Sequence, residues 1–243
     1  MENPTKESGL WFNILDAALK IPGSKIDREV FLQNEYGKYC DQKTVDKILR
    51  VGSVNANVEL TLMEKMAADI IKQHAGIATT LSFAAGVPGG LAMAATIPAD
   101  IAQFYYHVII AAQKLAYVFG LLSIEEDKDS FYLTLTVFMG VMAGIEEADK
   151  KMNELLMAQF AKKLGRITMG KILDKTVTRI AITIGLQLTK RNVFKAVLKT
   201  VPIIGGLVSG GITLLSFLPM CNNLKNKFCY SIIEAKKNNI ILL

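Results

Sequence analysis

Three cysteines, one tryptophan, two histidines and six prolines are all that the 243-residue chain holds of these types. Cys40, Cys221 and Cys229 are odd in number and show no CxxC spacing, which argues against a disulfide framework and a cysteine-based zinc site and suits a reducing compartment. His74 and His107 lie far apart in sequence and no HxxxH or HExxH pattern occurs, so no metal site is expected. There is no GxSxG elbow for a nucleophilic serine, and neither GxxxxGK[ST] nor GxGxxG for a nucleotide phosphate. No cofactor is expected. The first residues are polar and lack the basic-then-apolar order of a secretory signal, so export is not indicated. Aromatics make up only 8% and charged residues 21%.

What remains is aliphatic and small. Hydrophobic residues are 51% of the chain, enough for a sizeable core and incompatible with disorder or a collagen-like repeat. The net charge of +6 is unevenly spread. It is −1 over residues 1–74, −3 over 75–145, +7 over 146–200 and +3 over 201–243. A concentrated basic excess is an electrostatic footprint.

Helical spacing runs through residues 10–20, where Leu10, Trp11, Ile14, Leu15, Ala18 and Leu19 precede Pro22-Gly23. A short helix is expected over 27–36, and another up to Leu49 with Thr44 as its cap. Val58, Leu62, Met66 and Ile70 recur at four-residue spacing and predict a helix over 58–73. Residues 75–99 carry no charge but contain Gly86, Pro88, Gly89, Gly90 and Pro98, so a break is expected there and a new helix from near Pro98 to Gly120. The uncharged stretch 131–145 makes roughly 22 Å of helix, shorter than a ~30 Å bilayer core, and reads as a buried helix. Residues 201–224 form a second uncharged block, Gly-rich and closed by Pro219, ahead of a last helix over 222–237. No run alternates long enough to demand a strand. The expected fold is all-α: one domain, 1–243, built as a multi-helix bundle. Residues 1–74 form an amphipathic part and 75–145 an apolar core. Residues 146–243 hold basic helices and the second Gly-rich block. Two Pro/Gly-broken apolar hairpins would either pack centrally or associate with a membrane.

Three GxxxG pairs, 86/90, 140/144 and 206/210, all fall in uncharged segments. Gly86, Gly89, Gly90, Gly140, Gly144, Gly205, Gly206 and Gly210 are therefore the candidates for close helix packing, because glycine costs an exposed helix about 1 kcal/mol.

The sequence GVPGGLAMAATIPAD over 86–100, QFYYH over 103–107 and QKLAYVFG over 113–120 resembles the EcsC family of bacterial proteins. Supporting stretches are Ile21-Pro22 with REVFL over 28–32, and Val201-Pro202 through Gly206 with SGG over 209–211. The resemblance spans most of the chain. It implies a helical bacterial protein of the cytoplasm, peripheral to or partly inserted in the inner membrane. By family association it also implies an ABC transporter or another membrane protein as partner. It supplies no catalytic residues.

From the residues themselves, two features bear on function. Asp100, Gln103, His107 and Lys114 fall on one stripe, with the carboxylate and the imidazole about 10.5 Å apart along the axis. They could form a small-ligand or proton site, or serve a hydrolytic enzyme; alternatively Asp100 caps its helix and His107 bonds within the core. Arg28 and the basic residues of the 160s are candidate partners for the isolated Asp100. The second feature is the run Lys162, Lys163, Arg166, Lys171, Lys175, Arg179, Arg191, Lys195 and Lys199, interleaved with apolar residues. A basic amphipathic surface favours anionic membrane lipid. Nucleic acid ranks below lipid because Phe160 and Phe194 are the only aromatics nearby. The reading is a non-enzymatic, membrane-associated accessory protein, with a ligand binder or enzyme and a soluble interaction module as alternatives.

Overall fold

Apolar residues three and four apart turn every regular element into a helix. A computed structural model of the chain describes residues 6–86, 92–122, 128–160, 175–198 and 204–241. Among the described residues there are nine helices and no strand, as an all-α fold requires. They are α1 (Lys6–Leu19), α2 (Arg28–Tyr36), α3 (Gln42–Val51), α4 (Leu60–Gly86), α5 (Ala92–Val118), α6 (Lys128–Met142), α7 (Glu146–Phe160), α8 (Lys175–Leu198) and α9 (Ile204–Lys237).

Local chemistry sets the ends. Asp27 caps α2 by accepting the Val30 amide, and Asp41 caps α3 by accepting the Thr44 amide at 2.7 Å. The cap of α3 is thus the aspartate and not Thr44, because the helix begins two residues before the threonine. Gly120, at φ +94°, turns the chain after α5, with the Leu121 amide reaching back to the Ala116 carbonyl.

Helices α5 and α9 differ from expectation at their prolines. α5 runs through Pro98 and does not start there, and α9 runs through Pro219 as one 34-residue helix. From Ile204 on, the second apolar block is a continuous helix through Pro219, while the break expected at Pro202 lies outside the described residues. A proline inside a helix frees the carbonyl four residues before it. At Pro219 that is Leu215, which is 76% exposed, so water can take the freed bond. The residues 87–91, with Pro88, Gly89 and Gly90, lie outside the described residues, as do 199–203.

α9 packs most extensively on α4, and its C-terminal Ile232, Lys236 and Ile241 line a pocket with Val58, Glu59 and Met63 near the start of α4. The pair is antiparallel. α5 contacts α1, α2, α4, α6 and α9, which makes it the central helix, while α8 lies on α1 and α6. Trp11, Phe119, Phe131, Phe138, Phe160, Phe217 and Phe228 are fully buried. Phe119 of α5 stacks on Phe228 of α9 at 5.1 Å, and the Trp11 indole donates to Thr136 Oγ1 at 2.9 Å. No described helix is long and apolar enough to cross a membrane.

The glycines divide by role. A Cβ at Gly140 would stand 2.5 Å from the Ala148 Cβ and 2.7 Å from Ile180 Cγ2, so this glycine brings α6 against α7 and α8. Gly144, expected to pack the same way, sits at φ +72° with nothing within 4 Å of a would-be Cβ; it is the turn after α6. Gly86, Gly205, Gly206 and Gly210 belong to α4 and α9 by their backbone, and their surroundings lie outside the described residues.

Gly140→Ala is expected to lower stability by about 1–2 kcal/mol, overpacking outweighing the better helix propensity of alanine. Gly76→Ala, on an exposed stretch of α4 with nothing within 4 Å, should gain about 0.5–1 kcal/mol. Thermal denaturation of the two variants checks both signs, and a stabilised Gly140→Ala would contradict the close approach.

Candidate functional site

The apolar ladder of α4 at Met66 and Ile70 continues at the same spacing to His74 and Ala78, all four buried. The ladder of α5 likewise buries Phe104, Val108, Ala111 and Leu115, with His107 beside them. Where the two helices meet, an imidazole from each enters the seam. His74 Nδ1 lies 3.4 Å from His107 Nδ1, and the residues are only 5% and 6% exposed. On the far side of His74, Lys114 Nζ stands 3.1 Å from Nε2. On the far side of His107, the Gln103 amide nitrogen stands 3.5 Å from Nε2. The Tyr106 ring meets His107 edge-on at 4.9 Å, and the Phe31 ring of α2 lies 5.7 Å from the Lys114 ammonium.

The order of donors follows from the lysine. An ammonium can only donate, so His74 Nε2 accepts and the His74 proton sits on Nδ1. That N–H donates to His107 Nδ1, leaving the His107 proton on Nε2, which needs an acceptor. A half-turn of the Gln103 amide presents its oxygen there, since amide N and O are assigned from the hydrogen-bond network. Four side chains thus form one polar line through an apolar seam.

Burial, then the Lys114 charge, then His107 push the His74 pKa down to about 3. Burial and Lys114 also lower His107. Burial lowers Lys114, with Glu35 of α2 pulling up and Lys38 pushing down. Both rings are therefore neutral near pH 7.

The structure brings Gln103, His107 and Lys114 into one site, and it adds His74, which sequence distance sets apart from them. The signal for it is the α4 ladder itself, extended by one more step of four residues. Asp100 belongs to α5 by its backbone, and its side chain lies outside the described residues. Arg28, one candidate partner for Asp100, bonds backbone carbonyls. Its Nε, Nη1 and Nη2 donate to the carbonyls of Leu121, Leu49 and Ile48 at 3.0, 3.0 and 3.3 Å, because two helix ends bury their carbonyls around it.

A second feature lies on α8 and α9. Lys175, Arg179 and Leu186 are exposed and share one stripe of α8 by their four- and seven-residue spacing. Leu186 is 47% exposed, and on α9 Leu214 and Leu215 are 38% and 76% exposed. Leu215 and Leu188 line a groove of about 250 Å³ with Met139, Met142, Gln187, Ser216 and Met220, which mixes apolar and polar side chains. Of the other basic residues, Lys162, Lys163, Arg166, Lys171 and Lys199 lie outside the described residues. Arg191 and Lys195 are placed by their backbone alone.

Comparison with protein-family models, with curated proteins and with solved structures gives no match to this chain.

The neutral seam has a pH signature. An unfolded histidine titrates near 6.5, while native His74 takes its proton only near pH 3. Above pH 6.5 the ring is neutral in both states and contributes no pH dependence. Below it the unfolded chain binds a proton that the native chain refuses, so stability falls as pH drops from about 6.5 toward 3. Urea denaturation of wild type and His74→Gln over this window should show the steeper loss in wild type, by up to about 1.4 kcal/mol per pH unit. Parallel curves would mean that the ring titrates freely.

Proposed function

We propose that the chain is a non-enzymatic, EcsC-like helical accessory protein that attaches to the anionic, cytoplasmic face of a membrane and serves a membrane-embedded partner such as a transporter. The observation that carries this reading is the exposed stripe of α8, cationic at Lys175 and Arg179 and apolar at Leu186; on α9, Leu214 and Leu215 are exposed as well. Arg179 and Leu186 are about 10.5 Å apart along the axis, so one helix offers charge to headgroups and, two turns on, a side chain to acyl carbon. The +7 charge of residues 146–200 supplies the longer-range attraction. The resemblance over 86–120 points the same way.

Attachment from the side suits these helices better than crossing. An exposed leucine on the same stripe of α8 as Lys175 and Arg179 suits a surface bound in the headgroup layer. Insertion of the Gly-rich segment around residues 86–98 would add to this anchoring.

Vesicle co-flotation tests the reading. The protein should float with anionic vesicles and much less with neutral ones, and high salt should release it. Lys175→Gln with Arg179→Gln should weaken anionic binding by about 2 kcal/mol, roughly thirtyfold, at about 1 kcal/mol per cation. Leu215→Asp should weaken what binding remains. Equal flotation with neutral and anionic vesicles, or no effect of the paired substitution, would refute the proposal.

A further inference from the structure

The facing imidazoles of α4 and α5 are spaced as ligands are. Two nitrogens each ~2.0–2.1 Å from a tetrahedral ion stand about 3.3–3.4 Å apart, whereas adjacent corners of a square-planar site would bring them to about 2.9 Å. His74 Nδ1 and His107 Nδ1 are 3.4 Å apart. We propose that His74 and His107 are a two-nitrogen chelate for Zn²⁺, which bridges α4 and α5 and keeps its other coordination positions for water.

The surroundings agree with a ligand pair in three respects. The two rings come from different, packed helices, so their separation is held by the fold and not by a flexible loop. His107 has its outer nitrogen beside Gln103, the kind of partner that fixes a ligating ring in the tautomer with Nδ1 free. The seam itself is nearly closed, but Gln103 and Lys114 at its two edges are only half-buried and give a way in.

Among the described residues no third histidine, cysteine, aspartate or glutamate joins the pair. The site is therefore a chelate of modest strength with open positions, not a closed structural centre. Lys114 works against the ion. Its charge repels a dication, and its contact with His74 Nε2 favours the tautomer whose proton occupies Nδ1. On zinc binding the ring proton moves to Nε2 and the half-buried lysine turns away. The lysine thus sets how readily the ion enters.

Untagged full-length protein titrated calorimetrically with Zn²⁺ near neutral pH should bind one ion per chain, and thermal denaturation should shift upward with added zinc. Co²⁺ used as the probe should give the intense visible absorption of a tetrahedral site. His74→Gln and His107→Gln should each abolish both signals while keeping the helical circular dichroism of the parent. Gln103→Leu should weaken zinc about tenfold, as loss of an outer partner does. Lys114→Met should tighten it severalfold. Zinc binding that persists in both histidine variants would overturn the assignment, as would only the weak absorption of octahedral Co²⁺. Loss of zinc in Lys114→Met would place the ion on the amine and overturn it too. Should one histidine variant fail to fold, the other and Gln103→Leu decide between the same two outcomes.

Discussion

The last turn of α5 is the joint on which the fold depends. A helix ends with carbonyls that no amide of its own can reach, and here that end is buried, with Val118, Phe119 and Leu121 at 0–3% exposure. Four side chains supply the missing donors. Tyr36 and Ser53 both donate to the Val118 carbonyl, at 2.8 and 2.7 Å, Gln159 to Gly120 at 2.6 Å and Arg28 to Leu121. The donors arrive from three different segments: α2, the turn after α3, and α7. The positive guanidinium also meets the negative end of the helix dipole. Gly52 and Gly120, both at positive φ, let their two turns touch backbone to backbone, for a Cβ at Gly52 would collide with the Gly120 carbonyl oxygen. Leaving such carbonyls bare would cost about 1–3 kcal/mol each, which is why four polar side chains converge on so apolar a place.

The same rule separates the structural polar groups from the candidate functional ones. Gln113 is fully buried in α5, yet its amide is satisfied by fixed backbone partners: it donates to the Ser24 carbonyl at 2.7 Å and accepts from the Ile26 amide at 3.1 Å. It pins the loop between α1 and α2, and nothing further is asked of it. Trp11, bonded to Thr136, is settled in the same way. His74 and His107 are different. They meet side chains alone, at 3.4 and 3.5 Å for two of the three contacts, near the outer limit of a hydrogen bond. Burying two such rings so loosely satisfied is a cost to stability, and a ligand would offset it.

Much of this is legible from residue spacing. Helical periodicity sets the fold class, and the uncharged stretch 131–145 lies largely within a buried helix because Phe131, Leu135 and Phe138 repeat at the right interval. Lys114, Gln103 and His107 can be placed on one stripe because all three are on one helix. His74 cannot, since nothing in a sequence says that α4 lies on α5 with the two rings at the same level. The bonds of Arg28 are hidden for a similar reason: buried helix ends create a demand for donors that composition does not display. The prolines mislead because a proline is a strong local signal for a helix end, and the packing of α5 and α9 over many residues outweighs one lost hydrogen bond.

Under the proposed function, helix α9 bears on how so hydrophobic a chain would meet a bilayer. Its buried residues, Thr213, Phe217, Cys221, Leu224 and Phe228, recur every three or four positions and form one stripe facing the protein's own core. Among its described side chains, Leu214, Leu215, Tyr230 and Ile233 are the large apolar ones that stay exposed. A spanning helix must present apolar surface to lipid around its circumference or share it with other spanning helices. A helix that has already committed one face to its own core has less of its circumference to offer. Prising that face away would expose the Phe119–Phe228 stack, so if the proposed attachment holds, the energetically cheaper form of it keeps the bundle whole and offers the bilayer only what is already exposed.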